Sequence, residues 1–272
     1  MKITELEGPF GVEISNIDVR KITQDQLQQL QQEQNKHGVI FIRDQNLSCE
    51  EHIDFANQWG EIVVNRFFEP VPDYPQIAQV RKEPKHNRVI GEDWHTDHSY
   101  DQEPARGSIL YAREVPSQGG GTLFANTYLA YEALSDGLKE TLSSLKALHS
   151  SRHTFGYDAY DENEERFQNP DQALQDSIHP VVITHPESGR KSLYVNPDFT
   201  VQIVGWTQQE SEPLLQYLYQ HVQKPEFVNR FNWREGSIAF WDNRATWHRA
   251  ENDYPTERRL MHRITLKGGP LH

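Results

Sequence analysis

The chain has 272 residues and a formal net charge of −13 at pH 7, from 27 basic and 40 acidic side chains. This length is ample to bury an apolar core, and we expect a single domain over residues 1–272. The acidic balance argues against nucleic acid as a partner, because phosphate contacts need a basic surface. Cys49 is the one cysteine, which excludes an internal disulfide, and no apolar run approaches the ~20 residues that cross a bilayer. We therefore expect a cytoplasmic protein, with no membrane partner, that acts on small molecules.

Three pairs of a Ser or Thr with a Glu or Gln three positions later, the spacing of a capping box, stand at the start of a run with helical apolar spacing. The pairs are Thr23 with Gln26, Ser48 with Glu51, and Thr207 with Glu210. We expect Gly38 to end the first helix and Gly60 the second. A strand over Val39–Ile42 is expected between them, and the third helix should run to Val222.

From residue 77 onward, short runs rich in β-branched and aromatic residues, separated by Gly and Pro, predict strands. These runs are Ile77–Val80, Ser108–Ala112, Thr122–Ala125, Val181–Thr184, Ser192–Val195, Ser237–Trp241 and Arg259–Leu266. A further helix is expected over Leu134–His149. The charged run Asp158–Arg166, within a loop over 156–170, predicts a mobile surface segment that could cover a pocket as a lid. The pattern favours a mainly β fold with flanking helices, a sandwich or jelly roll.

A His followed two residues later by a carboxylate is a candidate pair of metal ligands. With 13 His and 40 acidic residues in this chain, chance alone gives about two such pairs, and there are three. His52 and Asp54 lie in a predicted helix, where residues two apart face different directions, so we expect a surface pair. His185 and Glu187 lie in a predicted hairpin turn, where we expect solvated side chains.

The third pair, His95 and Asp97, lies in a WHTD segment. In extended backbone these two residues project to the same side and can converge on one ion. His248, just after a predicted strand, is the candidate third ligand. Two imidazoles and one carboxylate leave three positions of an octahedral ion open, as in non-haem Fe(II) oxygenases. The alternative is a structural histidine packed between tryptophans.

Alternating residues of the last predicted strand indicate an anion site. Arg259, Met261 and Arg263 share one face of that strand. Two arginines facing a pocket can bind carboxylate-like groups through charge-assisted hydrogen bonds. The alternative is a solvated edge strand. We expect the side chain of Arg258, which points the other way, to be solvated.

These segments together resemble the taurine dioxygenase and 2,4-dichlorophenoxyacetate dioxygenase family of Fe(II)/2-oxoglutarate enzymes. The resemblance covers nearly the whole chain, and its motifs are specific in their order and spacing. They are Val39–Gln45 (VIFIRDQ), Trp94–Asp97 (WHTD), Gly119–Leu123 (GGGTL), Ala130–Ser135 (AYEALS), His179–Pro186 (HPVVITHP), Lys224–Phe227 (KPEF), Trp241–Arg244 (WDNR) and Arg258–Arg263 (RRLMHR).

The resemblance implies a double-stranded β-helix, or jelly roll, with Fe(II) held by His95, Asp97 and His248. It also implies that Arg259 and Thr122 bind the C5 carboxylate of 2-oxoglutarate, with O₂ as the second cosubstrate. Related halogenases lack the iron-binding carboxylate, so the presence of Asp97 favours a hydroxylase. Such an enzyme hydroxylates an unactivated C–H bond and releases succinate and CO₂.

Substrate-site positions depart from those of the taurine enzyme. Asn65, Phe68 and Gly91 stand where that enzyme has His, Tyr and Asn, and only the anion-binding arginine, Arg263, is kept. We therefore expect that taurine is not the main substrate, and that a sulfate ester, an aryloxyalkanoate or another amphiphilic small acid is. The candidate substrate-binding residues are Arg263, Asn65, Phe68, Tyr100, Phe155 and Phe199.

Three other functions stay open on the sequence. The first is a taurine or alkylsulfonate dioxygenase that releases sulfite. The second is a zinc hydrolase, which can use two His and one carboxylate around a metal-bound water. The third is a non-catalytic jelly-roll protein. A homo-oligomer, dimer or tetramer, is expected as the assembly.

Overall fold

The computed structural model describes residues 1–157 and 165–272, and strands predominate in both segments. The strands are β1 (Lys2–Glu5), β2 (Val12–Ser15), β3 (Val39–Ile42), β4 (Ile62–Val63), β5 (Pro70–Val71), β6 (Tyr74–Lys82), β7 (Gly107–Glu114), β8 (Thr122–Asn126), β9 (Lys146–Ser150), β10 (Asp176–Pro180), β11 (Val182–Thr184), β12 (Lys191–Leu193), β13 (Thr200–Ile203), β14 (Val228–Phe231), β15 (Ile238–Asp242), β16 (Thr246–Ala250) and β17 (Arg259–Leu266). The helices are α1 (Gln24–His37), α2 (Cys49–Asn57), α3 (Thr127–Glu132), α4 (Asp136–Ser143), α5 (Arg152–Phe155) and α6 (Gln208–Val222). This is the expected mainly β fold with flanking helices.

Two sheets carry the site. Within the described residues, the larger sheet has nine strands in the order β1-β2-β3-β15-β7-β17-β6-β5, with β4 paired to β17. Its pairs are antiparallel except β2 with β3. The smaller sheet has the order β14-β8-β16. A second three-stranded sheet, β10-β9-β13, and the hairpin β11-β12 are formed by the part of the sequence between β8 and β14.

The two main sheets pack face to face through aromatic side chains. Phe41 of β3 stacks on Phe231 of β14 with ring centroids 4.0 Å apart, and its edge meets Phe124 of β8 at 5.4 Å. Trp241 of β15 and Met261 of β17 belong to the same buried cluster. Because side chains alternate along a strand, Arg259 and Arg263 face this inner layer together with Met261.

The outer faces of both sheets are covered by helices. Leu27 of α1 and Phe55 of α2 pack with Ile40 and Phe240 on the far side of the larger sheet. On the far side of the smaller sheet, α6 packs against Trp247. All four residues of β3 are buried because this strand has protein on both faces. Of the helices in the described segments, none is long and apolar enough to cross a membrane.

The structure confirms the three capping boxes, and it confirms Gly38 as the end of α1 with a φ of 77°. Two predicted helix boundaries are wrong. The second helix ends at Asn57, before Gly60. The predicted helix over Leu134–His149 is a short helix, α4, followed by strand β9, because Ser135 caps a new helix and alternate residues of β9 are buried between β10 and β13.

Candidate active site

His95 and His248 lie side by side because their backbones pair. The His248 amide donates to the His95 carbonyl at 2.8 Å, and the His95 amide donates back to the His248 carbonyl at 3.1 Å. The rings lie on one side of this antiparallel bridge, with centroids 4.1 Å apart. Asp97 is close to both: one ligand atom from each of the three buried residues lies within 4.8 Å of the other two. The structure thus brings the three predicted metal ligands together.

The hydrogen bonds of this triad suit metal binding. Nδ1 of His95 lies 2.8 Å from the Asp93 carbonyl oxygen, which can only accept, so Nδ1 carries the proton and Nε2 keeps a free lone pair. That Nε2 lies 3.8 Å from Oδ1 of Asp97. Burial, reinforced by the neighbouring His95, lowers the pKa of His248 well below its usual range and keeps it in the neutral form that binds metals. Two imidazoles and one carboxylate form a donor set that fits Fe(II).

Two buried residues hold the Asp97 carboxylate. Ser108 donates to Oδ2 at 2.8 Å, and Arg263 donates from Nη1 to Oδ1 at 3.0 Å. Burial opposes ionisation, but the charge of Arg263 outweighs it and keeps the pKa of Asp97 well below its usual range. Asp97 is therefore ionised, as a metal ligand must be.

Arg259 and Thr122 face the same cavity as the triad. Arg259 is buried, and its Nη2 lies 3.5 Å from the Thr122 hydroxyl. Its Nε has no hydrogen-bond partner among residues 1–157 and 165–272. Arg259 forms no ion pair within the described residues. A buried guanidinium without a carboxylate beside a hydroxyl fits the carboxylate of a bound acid such as 2-oxoglutarate.

Aromatic side chains form much of the cavity wall. The rings are those of Phe68, Tyr100, Phe155, Phe167, Phe199 and Trp241. Tyr100 meets Phe199 edge to face at 4.9 Å, and the Arg263 guanidinium lies over Phe68 at 4.5 Å from the ring centre. Four of the predicted substrate-site residues, Phe68, Tyr100, Phe155 and Phe199, therefore line the cavity, as does Arg263.

Asn65 is the exception among the predicted substrate-binding residues, because it does not line the cavity. Its Oδ1 accepts the amides of Phe67 and Phe68 at 2.9 and 3.0 Å. The carboxamide is thus used to shape the turn that presents Phe68. Gly91 does line the cavity, at a φ of 75°, and a Cβ there would lie 3.0 Å from the His95 ring. A larger residue at this position would press on the proposed metal ligand.

The cavity residues missed by the sequence analysis include four with polar or aromatic side chains. They are His98, Thr154, Phe167 and Asp198. Nδ1 of His98 lies 2.9 Å from a carboxylate oxygen of Asp101. Burial raises the pKa of Asp198, whose nearest hydroxyl, that of Thr154, is 3.4 Å away. Only the position of His98, directly after the WHTD segment, could have indicated its place.

In the two rejected pairs the carboxylates Asp54 and Glu187 are exposed, as expected, but the histidines are buried. His52 is buried, with neither ring nitrogen hydrogen-bonded, because its helix packs this side onto the larger sheet. His185 is also buried: its Nδ1 accepts the Ser188 amide, so Nε2 carries the proton and donates to Asp242 at 3.1 Å. Glu187, which is exposed, pairs with Arg244 at 2.9 Å. Neither pair joins the triad.

Arg258 points away from the cavity, as expected, but it is not simply solvated. It pairs with Glu83 at 3.0 Å and with Glu114 at 2.5 Å. The central part of the predicted lid, residues 158–164, lies outside the described residues. On either side of that segment, Phe155 and Phe167 line the cavity.

Comparison with known proteins identifies the family. Residues 2–265 match the model of the "Taurine catabolism dioxygenase TauD, TfdA family". An alkylsulfatase of Acinetobacter baylyi is 33% identical over 98% of this chain and 85% of its own length. An alpha-ketoglutarate-dependent sulfate ester dioxygenase of Pseudomonas putida is 30% identical over 98% of this chain and 90% of its own.

A solved structure agrees. A putative alpha-ketoglutarate-dependent taurine dioxygenase from Burkholderia xenovorans has a TM-score of 0.85 and 33% identity, over 99% of this chain and 93% of that one. Alpha-ketoglutarate is another name for 2-oxoglutarate. The chain therefore belongs to the TauD, TfdA family and is an Fe(II)-dependent dioxygenase that uses 2-oxoglutarate and O₂.

Proposed function

We propose that this enzyme hydroxylates an unactivated C–H bond of a small amphiphilic monoacid, with alkyl sulfate esters as the favoured class. His95, Asp97 and His248 would hold the iron. The observation that carries the proposal is the placement of Arg259 and Arg263 on one face of β17, both buried and both lining the cavity that contains the triad. Arg259 would bind one acid, the cosubstrate, and Arg263 would bind the other, the substrate.

Arg259 and Thr122 would bind the C5 carboxylate of 2-oxoglutarate. A buried guanidinium needs a counter-charge, and a carboxylate supplies one with hydrogen bonds from both groups. Iron bound with 2-oxoglutarate and O₂ supplies the oxidation of the C–H bond. The protein's side chains orient the two acids and exclude water from the site. The aromatic wall contributes directly to the exclusion of water.

Arg263 would bind the acid group of the substrate. Its Nη1 is used on Asp97, while its Nε is buried without a partner and is available to an anion. The rest of the substrate would lie against Phe68, Phe155 and Phe199. This wall offers good packing to an alkyl or aryl body.

With an alkyl sulfate, hydroxylation at the carbon that bears the ester oxygen gives an unstable hemiacetal-like product. The C–O bond to sulfate breaks, and an aldehyde and hydrogensulfate leave. One O₂ and one 2-oxoglutarate are consumed, and one succinate and one CO₂ are formed. The names of the two relatives described above support this class.

We also propose that the nine-stranded sheet and the β14-β8-β16 sheet are the two layers of a jelly roll. The aromatic contacts that join Phe41 to Phe231 and Phe124 support this arrangement. The single domain, the homo-oligomer and the cytoplasmic location stay predictions.

One observation favours the alternative of a taurine or alkylsulfonate dioxygenase. Asp198 and Thr154 line the same cavity, and a carboxylate there would meet the ammonium of an aminosulfonate. An Asp198→Asn variant separates the two functions. It should abolish turnover of an aminosulfonate, if there is any, and leave turnover of a simple alkyl sulfate within about twofold, since that substrate brings no cation to the site.

The proposal is tested by measuring succinate from the Fe(II)-loaded enzyme with 2-oxoglutarate, O₂ and one compound per reaction. Hexyl sulfate, an aryloxyacetate and taurine form the panel, and His95→Ala is the inactive control. We expect the largest succinate yield with hexyl sulfate and loss of it in the control. If taurine gives the largest yield, the substrate assignment is wrong. If no compound and no condition gives succinate, a zinc hydrolase becomes the better explanation.

A further inference from the structure

Trp233 lies just behind the proposed binding site of the 2-oxoglutarate carboxylate. It follows β14, is 8% exposed, and does not line the cavity. Its indole Nε1 donates to the hydroxyl oxygen of Thr122 at 2.9 Å. Its ring also lies beside Arg259, 5.7 Å from the guanidinium carbon. Trp233 therefore touches both residues assigned to the cosubstrate, from the side away from the cavity.

The Thr122 oxygen has limited hydrogen-bonding capacity. A hydroxyl has two lone pairs and one proton. Trp233 occupies one lone pair, and Nη2 of Arg259, at 3.5 Å, occupies the other weakly. With both lone pairs directed at donors, the Thr122 proton must be donated elsewhere. Thr122 faces the cavity, and no acceptor in the described residues takes that proton.

We propose that Trp233 is a positioning residue for 2-oxoglutarate, which fixes the Thr122 hydroxyl as a donor to the C5 carboxylate. This inference rests on the proposed roles of Thr122 and Arg259. Without the indole N–H, the threonine proton could turn to other acceptors, and orienting it would cost part of the binding free energy. The loss should fall on the C5 carboxylate alone, because Trp233 does not reach the rest of the cosubstrate.

The test uses two keto acids of equal chain length. 2-Oxoglutarate carries the C5 carboxylate, and 2-oxopentanoate has a methyl group in its place. Their dissociation constants are measured by calorimetry on the anaerobic Fe(II) enzyme. Trp233→Phe should weaken 2-oxoglutarate by roughly threefold to tenfold, the value of one neutral hydrogen bond. It should leave 2-oxopentanoate within about twofold.

Trp247→Phe is the matched control. Trp247 is also buried, but its Nε1 has no hydrogen-bond partner, and it packs in the cluster covered by α6. This variant should leave both dissociation constants unchanged. A second check is the background Thr122→Val, in which Trp233→Phe should weaken 2-oxoglutarate no further, because the hydroxyl it orients is absent.

Equal weakening of both keto acids in Trp233→Phe would show a merely structural role and overturn the inference. The inference would also be overturned if Trp233→Phe bound 2-oxoglutarate like the wild type while Arg259→Gln lost 2-oxoglutarate binding. A wild-type enzyme that binds the two keto acids equally well would instead contradict the assignment of Arg259 and Thr122, and the inference with it.

Discussion

Arg263 donates a hydrogen bond to the carboxylate of Asp97 at 3.0 Å, and both side chains are buried. The same guanidinium lies over the ring of Phe68. One residue thus contacts a proposed metal ligand on one side and the proposed substrate wall on the other. The charge that keeps Asp97 ionised is also the charge offered to the substrate acid.

Arg263→Gln should therefore raise the KM for an acidic substrate by roughly tenfold or more, the worth of a hydrogen bond to a charged group. On the metal-saturated enzyme, the dissociation constant of 2-oxoglutarate should change by no more than about twofold, because Arg259 is intact. Arg258→Gln is the control, since Arg258 immediately precedes β17, the strand that carries Arg263, but pairs with Glu83 and Glu114 outside the cavity. Parallel loss of both affinities in Arg263→Gln would contradict separate sites for the two acids.

Ser108 is expected to orient Asp97 for the metal. Its hydroxyl donates to Oδ2 at 2.8 Å, on the side of the carboxylate away from Arg263. Ser108→Ala should weaken metal affinity by about 10-fold to 100-fold, as is typical when the hydrogen bond behind a ligand is lost. Titration with Co(II) in competition with a chelator measures this. Ser192→Ala, which removes a buried hydroxyl bonded to Thr127, should bind Co(II) like the wild type. If Ser108→Ala also bound Co(II) with wild-type affinity, Ser108 would have no role in orienting Asp97.

His52 should make the fold sensitive to acid. Burial lowers its pKa from 6.5 to about 3, and burial likewise lowers the pKa of His262 to about 4. The unfolded chain therefore takes up these protons first as the pH falls. Stability from the neutral rings is complete above pH ~6.5 and decreases below it, by up to about 1.4 kcal/mol per pH unit for each group.

The measurement is urea denaturation of the wild type and of His52→Leu at pH 7.5 and 5. The variant should lose less free energy of unfolding between the two pH values, by roughly 1 to 2 kcal/mol. Its stability at pH 7.5 can differ in either direction without affecting the test. An identical pH dependence in the two proteins would mean that His52 is not held neutral in the fold.

The Asp242–Arg244 pair is buried beside the site and is expected to be structural. The Arg244 guanidinium donates to the carboxylate at 2.6 and 2.9 Å, the Arg244 backbone amide donates at 2.9 Å, and His185 adds a fourth donor. Asp242→Asn should cost about 3 to 5 kcal/mol of unfolding free energy, because it leaves a buried guanidinium without its main partner. Glu187→Gln, which removes the exposed partner of Arg244, should cost less than about 1 kcal/mol. Similar losses in the two variants, measured by denaturation, would contradict this.

The elements that the sequence predicts well are those with a local physical cause. The capping boxes at Thr23, Ser48 and Thr207 were predictable because each is completed within four residues. His95 and Asp97 were also predictable, because extended backbone directs residues two apart to the same side. His248 was predicted from its position just after a predicted strand, and its place opposite His95 depends on strand pairing that no local pattern reveals.

The errors come from tertiary packing. The His52 pair was expected at the surface because helical spacing says nothing about which face a helix buries. The segment around Ala147 was expected to be helical, but pairing with two other strands decides its conformation. His98 and Asp198 reach the cavity through turns that bring distant segments together. Asn65 was assigned to the substrate, and in the fold its side chain caps backbone amides instead.

The most direct test of the central claim is turnover of an alkyl sulfate under ¹⁸O₂, with succinate, sulfate and aldehyde measured together. We predict one labelled oxygen in succinate, one sulfate and one aldehyde per succinate, and no sulfate release under nitrogen. Sulfate released without O₂ or 2-oxoglutarate, together with the alcohol in place of the aldehyde, would contradict the account and indicate hydrolysis.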